Sequence, residues 1–306
     1  MAAAGESVEI SETATERARR WRPALAAVGG SVMVGFMPLL VIRLYRDGVS
    51  ATSMLVWRYG LALVPLFVAS ALARHDFRAA WRGGAWRIAV VGATLGAGQT
   101  LCFWESLHTL DSSIAILLFY TYPALTLMLD RLLFKRPVRR RAAACVTIIL
   151  IGAGLVTLPG LKGGLDPRGL MWILPAPLIY ALYLAASSVL MRRHPPLIGA
   201  IYLYLGLVLS FGGASLYFGL DLPAASGAWL LLLVIALGPG ALTVTLFSYS
   251  VPRLGPASYA IIANTELVTV VVIGISVLGE RLTAARMAGG ALIVCGILAH
   301  GLFRRR

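Results

Sequence analysis

The sequence has few charged residues, and its apolar stretches are separated only by short connectors. Charged residues make up 13% of the 306 positions and hydrophobic residues 59%, whereas a soluble domain carries about 25% charged residues. The mean hydropathy is +0.83. This composition excludes an ordinary water-soluble protein, and the connectors are too short to form a soluble domain of their own.

Cysteine is equally scarce. The three cysteines, Cys102, Cys145 and Cys295, all lie inside apolar stretches, and no two of them have CxxC spacing. An odd number of isolated cysteines disfavours a disulfide framework or a zinc site. We interpret them as small hydrophobic residues.

Catalytic and nucleotide-binding motifs are missing too. The sequence has no GxxxxGK[ST], HExxH or GxSxG motif, and its four histidines (His75, His108, His194 and His300) fall in connectors or at the ends of apolar stretches. Acid–base and metal chemistry therefore lack their usual residues. These absences argue against ATP-driven transport and against a membrane-embedded transferase, so we expect neither an enzyme nor a cofactor.

Apolar stretches of the length that spans a bilayer follow one another through the chain. A helix of roughly 20 apolar residues crosses a hydrocarbon core of about 30 Å. The sequence thus predicts an all-α membrane protein with ten transmembrane helices. The predicted spans are 24–42, 51–73, 86–107, 112–133, 142–158, 169–191, 197–218, 227–249, 256–278 and 284–303.

The basic residues are distributed unevenly between the two sides. With a cytoplasmic N-terminus, 20 of the 27 Lys and Arg residues fall on the inside and 6 on the outside. This bias follows the positive-inside rule and predicts that both termini are cytoplasmic. The formal net charge of +14 is then explained by loops facing anionic lipid headgroups, not by a nucleic acid partner. Residues 1–22 form a polar arm without the apolar core of a signal peptide, and residues 304–306 a basic tail.

The chain repeats itself. A shift of 144 residues places the first half, residues 23–158, on the second half, residues 167–303, and pairs Phe103 with Phe247 and Gly152 with Gly296. Five helices per half mean that the second half enters the membrane from the opposite side. Inverted repeats of this kind are typical of secondary transporters, with the substrate site where the halves meet. A channel would require rings of like residues instead.

Three segments carry a resemblance to a known family: WRYG at 57–60, FWESLHTLDSSIAILLFYTYP at 103–123 and TELVTVVVIGISVLGERLT at 265–283. They resemble the drug/metabolite transporter superfamily, EamA type, and within it most closely its exporters of aromatic amino acids. The LGERLT at 278–283 is the most specific match. The resemblance implies a basket-like ten-helix bundle around a central cavity, in the bacterial inner membrane.

Two charged groups inside the spans are candidates for function. Glu266 is predicted near the midplane, where a carboxylate is costly unless it is protonated, paired or hydrated. It could bind a substrate amine or carry a proton, or it could form a helix–helix hydrogen bond, and Asn264 lies beside it. Arg58 and Glu105 have similar predicted depths, which suggests a salt bridge that is either structural or an outer gate.

Aromatic residues on the third, fourth and sixth predicted spans are candidates for the cavity wall. Such walls with a few polar groups suit an amphipathic substrate, although aromatic residues also face lipid in membrane proteins. With one neutral polar neighbour, the set comprises Gln99, Phe103, Trp104, Phe119, Tyr120, Tyr122, Tyr180 and Tyr183. About half of the aromatic residues are expected in the cavity.

Prolines interrupt several spans and mark candidate hinges. Proline cannot donate a backbone hydrogen bond and kinks or breaks a helix. The four that we single out are Pro123, Pro175, Pro177 and Pro239.

The substrate class follows from what the cavity would lack. Phosphorylated substrates need cations, and Arg58 is the one basic residue well inside a predicted span. We therefore expect neutral amino acids, including aromatic ones and others such as Met or Thr, carried by a monomer among membrane lipids. Amphipathic drugs or toxic cations are the alternative.

Overall fold

The computed structural model describes residues 21–110, 112–135, 140–157, 166–223, 226–277 and 283–303, and within these ranges the chain is helical, with no strand. The predicted tail at 304–306 and nearly all of the predicted arm at 1–22 lie outside these ranges. The helices are α1 (21–35), α2 (Met37–Arg46), α3 (Ala51–Leu72), α4 (Phe77–Arg82), α5 (Trp86–Val91), π1 (Gly92–Gly96), α6 (Ala97–Ser106), α7 (Ser112–Phe119), α8 (Tyr122–Phe134), α9 (Arg140–Thr157), α10 (Pro167–Ile173), α11 (Pro175–Leu190), α12 (Pro196–Phe218), α13 (Ser226–Ile235), π2 (Ala236–Leu242), α14 (Thr243–Leu254), α15 (Pro256–Ala263), α16 (Thr265–Ser276) and α17 (Ala284–Phe303).

The predicted all-α membrane architecture is confirmed. Eight helical stretches are long and apolar enough to cross a membrane. The third predicted span is one continuous helical run through α5, π1 and α6, and the tenth contains the shorter apolar helix Met287–His300. These two segments do not meet the same length and hydropathy criteria as the other eight.

The repeat seen in the sequence recurs in the backbone. The two π-helical segments, π1 and π2, begin 144 residues apart, at Gly92 and Ala236. A turn at Tyr120 and Thr121 separates α7 from α8, and a turn at Asn264 separates α15 from α16, again 144 residues from Tyr120. The shift that aligns the sequences therefore also aligns the irregularities of the helices.

The helices α9 and α17 occupy equivalent places in the two halves and pack against each other antiparallel, through glycines. A Cβ at Gly152 would lie 2.9 Å from Ile293 Cγ1, and one at Gly296 would lie 2.7 Å from Ile149 Cγ1. These two contacts are equivalent under the 144-residue shift. Such reciprocal contacts are expected of two halves related by a pseudo-twofold axis, and close approach through small residues is typical of membrane helices.

The four prolines predicted as hinges all lie at helix interruptions. Pro123 follows the turn between α7 and α8, Pro175 follows the turn at Leu174 between α10 and α11, and Pro177 lies in the first turn of α11. Pro239 lies within π2. Motion at these positions stays a prediction.

A loop of the second half is tied to the start of α3 in the first half by Asp221. The Asp221 carboxylate accepts hydrogen bonds of 3.1 Å from the backbone N–H of Ser50 and from Ser53 Oγ, and Trp57 Nε1 donates to Asp221 O at 3.0 Å. Hydrogen bonds from Ser50 and then Ser53 hold the pKa of Asp221 below its usual value, because they stabilise the ionised form. We call this group the Asp221 latch.

The latch predicts a pH-dependent stability difference. A carboxylate whose folded pKa is depressed stabilises the fold above its unfolded pKa of about 3.9 and loses that contribution as the pH falls through the folded value. Asp221→Asn is therefore expected to lower the thermal midpoint in detergent at pH 7, with a difference that shrinks below pH ~4. Asp47→Asn, in the exposed turn before α3, is the control. An equal effect of both substitutions would contradict the latch.

Candidate functional site

The two interrupted spans meet inside the bundle. The helix α8 packs against α15, and Tyr122 Oη donates to Ala260 O at 3.4 Å. The interruptions have different causes. Pro123 has no N–H to continue α7 into α8. At the second turn, Asn264 Nδ2 donates to Ala260 O at 2.8 Å, while the Asn264 backbone N–H bonds Ile261 O instead.

Aromatic rings form a continuous wall beside these interruptions. Phe119 lies 5.4 Å from Tyr180 between ring centroids, Tyr122 lies 4.8 Å from Tyr180, and Tyr180 stacks on Tyr183 at 5.7 Å. Phe103 joins through Phe119 at 5.3 Å. Tyr120 joins through Tyr122 at 5.9 Å. Trp104 lies 6.3 Å from Phe103, so the structure brings together all seven aromatic residues singled out in the sequence.

The wall continues through four aromatic residues that the sequence did not single out as cavity-lining. Tyr183 stacks on Phe247 at 5.5 Å, and Phe247 lies 5.3 Å from Tyr259. Tyr59 meets Tyr204 edge-on at 5.0 Å, and both lie close enough to Tyr183 to interact with it electrostatically. One signal was available in the sequence, because Phe247 is the repeat equivalent of Phe103. Tyr59 lies in the WRYG segment at 57–60, which carries the family resemblance, whereas nothing in the sequence distinguished Tyr204 or Tyr259 from residues facing lipid. We call the whole group, with Phe103, Phe119, Tyr120, Tyr122, Tyr180 and Tyr183, the aromatic wall.

Glu266 lies at the start of α16, within the aromatic wall. Tyr120, Tyr180 and Tyr259 are close enough to interact with its carboxylate electrostatically. No described residue forms a hydrogen bond with that carboxylate, and Glu266 keeps some accessible surface. Glu266 thus lies among tyrosine rings as a partly accessible carboxylate without a bonded donor among the described residues.

Arg58 enters the same region from α3. Its Nη2 donates to Pro239 O in π2 at 3.3 Å, and its Cζ lies 5.2 Å from the ring centroid of Tyr59. Tyr204 Oη donates to the neighbouring Gly240 O at 3.1 Å. The side chains of Arg58 and Tyr204 thus donate hydrogen bonds to backbone carbonyls of π2. Backbone polar groups in a membrane interior need such partners.

The structure does not bring Arg58 and Glu105 into the predicted salt bridge. The acidic group that interacts electrostatically with Arg58 is Glu266, while Glu105 lines a separate cleft. Similar depth along two helices does not decide which way their side chains point. The Arg58 side chain reaches the level of π2, in the middle of the eighth predicted span.

The two amides of the predicted site are bound mainly to their own helices. Gln99 Nε2 donates to Gly96 O at 3.2 Å and to Thr100 Oγ1 at 2.6 Å. Asn264 is fully buried, and its Oδ1 has no hydrogen-bond partner. Asn264 thus offers a free acceptor beside Glu266, whereas the Gln99 amide nitrogen is already engaged.

A cleft of about 980 Å³ opens between α3, α6 and α12. Ser50, Glu105, His108 and Gly219 line it, as does Trp104, which also contacts Phe103 at 6.3 Å. We call this end of the bundle the Ser50 side. Through Trp104 and its contact with Phe103, the cleft adjoins the aromatic wall.

At the opposite end, here the Ser248 side, the equivalent helices are in contact. There α14 packs against α12, and a Cβ at Gly199 would lie 3.4 Å from Ser248 Cβ. Under the 144-residue shift, Gly199 and Ser248 correspond to Leu55 and Trp104, which line the open cleft. Equivalent helix pairs are therefore packed on the Ser248 side and separated on the Ser50 side.

Comparison with known proteins agrees with this architecture. The family model of the EamA-like transporter family matches residues 21–158 and again residues 167–300. An uncharacterized transporter from Archaeoglobus fulgidus (strain ATCC 49558 / DSM 4304 / JCM 9628 / NBRC 100126 / VC-16) is 25% identical over 273 residues, 89% of this chain and 94% of that protein. A solved crystal structure with 17% identity superposes with a TM-score of 0.78, over 93% of this chain and 99% of that one, and so shares the fold. The two family matches together span most of the sequence, and this chain therefore belongs to the EamA-like transporter family.

Proposed function

We propose that this transporter exports neutral amino acids, aromatic ones and Met or Thr among them, by alternating access as a facilitative or secondary active carrier. The observation that carries the proposal is the aromatic wall around one carboxylate, Glu266. Rings with an apolar face and tyrosine hydroxyls suit an amphipathic solute. The carboxylate supplies a partner for its amine.

The unequal ends of the bundle support alternating access. The two equivalent halves place equivalent helix pairs at the two ends of the bundle, and the pair is packed on the Ser248 side and apart on the Ser50 side. The exchanged conformation would bring Leu55 to Trp104 and separate Gly199 from Ser248. The position of the substrate site between inverted halves is the arrangement expected of a rocking transporter.

Buried serines on the Ser248 side support an alternate path there. The hydroxyls of Ser187, Ser248 and Ser250 are buried without a hydrogen-bond partner. An unsatisfied buried hydroxyl costs about 1–3 kcal/mol. Opening the Ser248 side would hydrate these groups, which lowers the cost of the open conformation.

Direction follows from the distribution of charge. The positive-inside bias places the Ser50 side outside and the Ser248 side in the cytoplasm. The proposed setting is the bacterial inner membrane, with both termini cytoplasmic and the carrier a monomer. The conformation described above is then outward-open, a state in which an exporter releases its substrate.

The alternative substrate is an amphipathic cation. A lone carboxylate among aromatic rings also suits such a ligand, since rings attract cations through their faces. The nearby Arg58 guanidinium disfavours it, because like charges repel in a site of low dielectric.

Counterflow in proteoliposomes tests the proposal. Purified protein loaded with unlabelled Phe, Trp or Met is expected to exchange it saturably for the labelled amino acid. A proton gradient that drives accumulation would identify secondary active transport, and insensitivity to the gradient a facilitator. Folded protein that exchanges no amino acid but takes up tetraphenylphosphonium would overturn the proposal in favour of the alternative.

A further inference from the structure

Arg58 and Glu266 are opposite charges that share one region of the bundle without pairing. They interact electrostatically, yet no ion pair joins them among the described residues, and both keep accessible surface. Charges inside a protein are normally paired and hydrogen-bonded, because removing them from water is costly. Two opposite charges that are not paired with each other and that keep some accessible surface can bind a ligand that carries both complementary charges.

The Arg58 end of this space has unused donor capacity. Arg58 Nη2 donates to Pro239 O, whereas Nε is buried with no hydrogen-bond partner. A guanidinium binds a carboxylate through a fork of two parallel N–H groups. The orphaned Nε is one of the groups that such a fork uses, and Tyr59 and Tyr204 flank it.

The Glu266 end has the complementary character. The carboxylate is an acceptor without a bonded donor among the described residues. Asn264, two positions before Glu266 in the chain, supplies a second acceptor, because its Oδ1 has no hydrogen-bond partner. An ammonium group carries three donors and no acceptor. The rings of Tyr120, Tyr180 and Tyr259 lie around this end. The side chain of a bound amino acid would then contact the aromatic wall.

We infer that Arg58 and Glu266 form a two-point site for a zwitterion, with Arg58 binding the α-carboxylate and Glu266 the α-ammonium of the transported amino acid. The inference rests on the proposed function and assigns its polar recognition to two residues. Arg58 lies on α3 of the first half, and Glu266 lies on α16 of the second half. A substrate held at both points therefore bridges the halves that must move relative to each other.

The two-point site is expected to bind molecules that lack either charged group more weakly than a zwitterion. A charged hydrogen bond contributes about 1.5–3 kcal/mol, and each 1.4 kcal/mol is about tenfold in affinity. Tryptophan is therefore expected to bind at least about tenfold more tightly than tryptamine, which lacks the carboxylate, or indole-3-propionate, which lacks the amine.

Competition for labelled tryptophan in the purified, full-length protein tests the assignment. In Arg58→Gln, the preference for tryptophan over tryptamine is expected to disappear while the preference over indole-3-propionate remains. In Glu266→Gln, the preference for tryptophan over indole-3-propionate is expected to disappear while the preference over tryptamine remains. Arg58→Lys should restore part of the carboxylate preference, which a purely structural role at Pro239 would not predict. Tyr217→Phe, on the exposed end of α12, is the control.

The outcomes separate the two proposals. If tryptophan binds but wild-type protein accepts tryptamine and indole-3-propionate equally well, the two-point site is wrong and the proposed function stands. The same conclusion follows if each substitution weakens all three ligands alike. If no amino acid binds to folded protein, the proposed function fails first. Should either single variant fail to fold, the wild-type ratios alone decide, and the double variant that removes both charges tests the loss of both preferences.

Discussion

Oxidation of a Gly199→Cys, Ser248→Cys double variant is expected to abolish amino acid exchange, and a reductant is expected to restore it. A Cβ at Gly199 would lie 3.4 Å from Ser248 Cβ, and disulfides form at Cβ separations of about 3.5–4.5 Å. The bond would hold α12 and α14 together and keep the Ser248 side closed. The native Cys102, Cys145 and Cys295 are replaced beforehand.

The equivalent pair on the Ser50 side supplies the contrast. Leu55 and Trp104 both line the open cleft, and the pair Leu55→Cys with Trp104→Cys is expected to stay unbonded in this conformation. It is expected to cross-link only when the Ser50 side closes, and faster when substrate is present. Counterflow and gel-shift of cross-linked protein measure both pairs, with the four single-cysteine variants as controls. Undiminished exchange after complete disulfide formation at the first pair would exclude the Ser248 side as an access path.

Gly206→Val is expected to prevent folding, whereas Gly213→Val in the same helix is expected to be tolerated. A Cβ at Gly206 would overlap the carbonyl of Ala89, a backbone atom that cannot move aside as a side chain can. Overpacking typically costs 1–3 kcal/mol and occasionally more; against backbone we expect ~3 kcal/mol or more. A Cβ at Gly213 meets nothing within 4 Å.

The matched pair separates packing from helix propensity, since both substitutions replace glycine by valine within α12. The yield of monodisperse protein and its thermal midpoint in detergent are the measurements. The contact also joins the first half to the second, because Ala89 lies in α5 and Gly206 in α12. Equal behaviour of the two variants would mean that this helix crossing does not limit stability.

The sequence predicted much of the backbone. The repeat shift of 144 residues, read from weak residue coincidences, also relates π1 to π2 and the turn at Tyr120 to the turn at Asn264. This agreement has a physical basis. Gly96 and Gly240 are equivalent in the two π-helical segments, whereas the turns arise from Pro123 in one half and Asn264 in the other. Each residue acts through the backbone of its own segment, so its effect depends on the local sequence.

The sequence did not predict which side chains meet. Arg58 was expected beside Glu105, and the structure places it near Glu266 and against Pro239 O. Tyr204 and Tyr259 belong to the aromatic wall but had no signal of their own in the sequence. Depth along a helix can be counted in residues, whereas direction around its axis depends on neighbours that are distant in sequence.

By itself, the sequence determined the membrane-spanning class and the repeat, because transfer of each segment from water to lipid depends on its own composition. It also predicts the side preference of the loops. The tertiary structure decided the partner of Arg58, the membership of the aromatic wall and the difference between the Ser50 and Ser248 sides. Lipid and protein interior are similarly apolar, so hydrophobicity does not orient a helix about its axis. Close packing and the pairing of polar groups do.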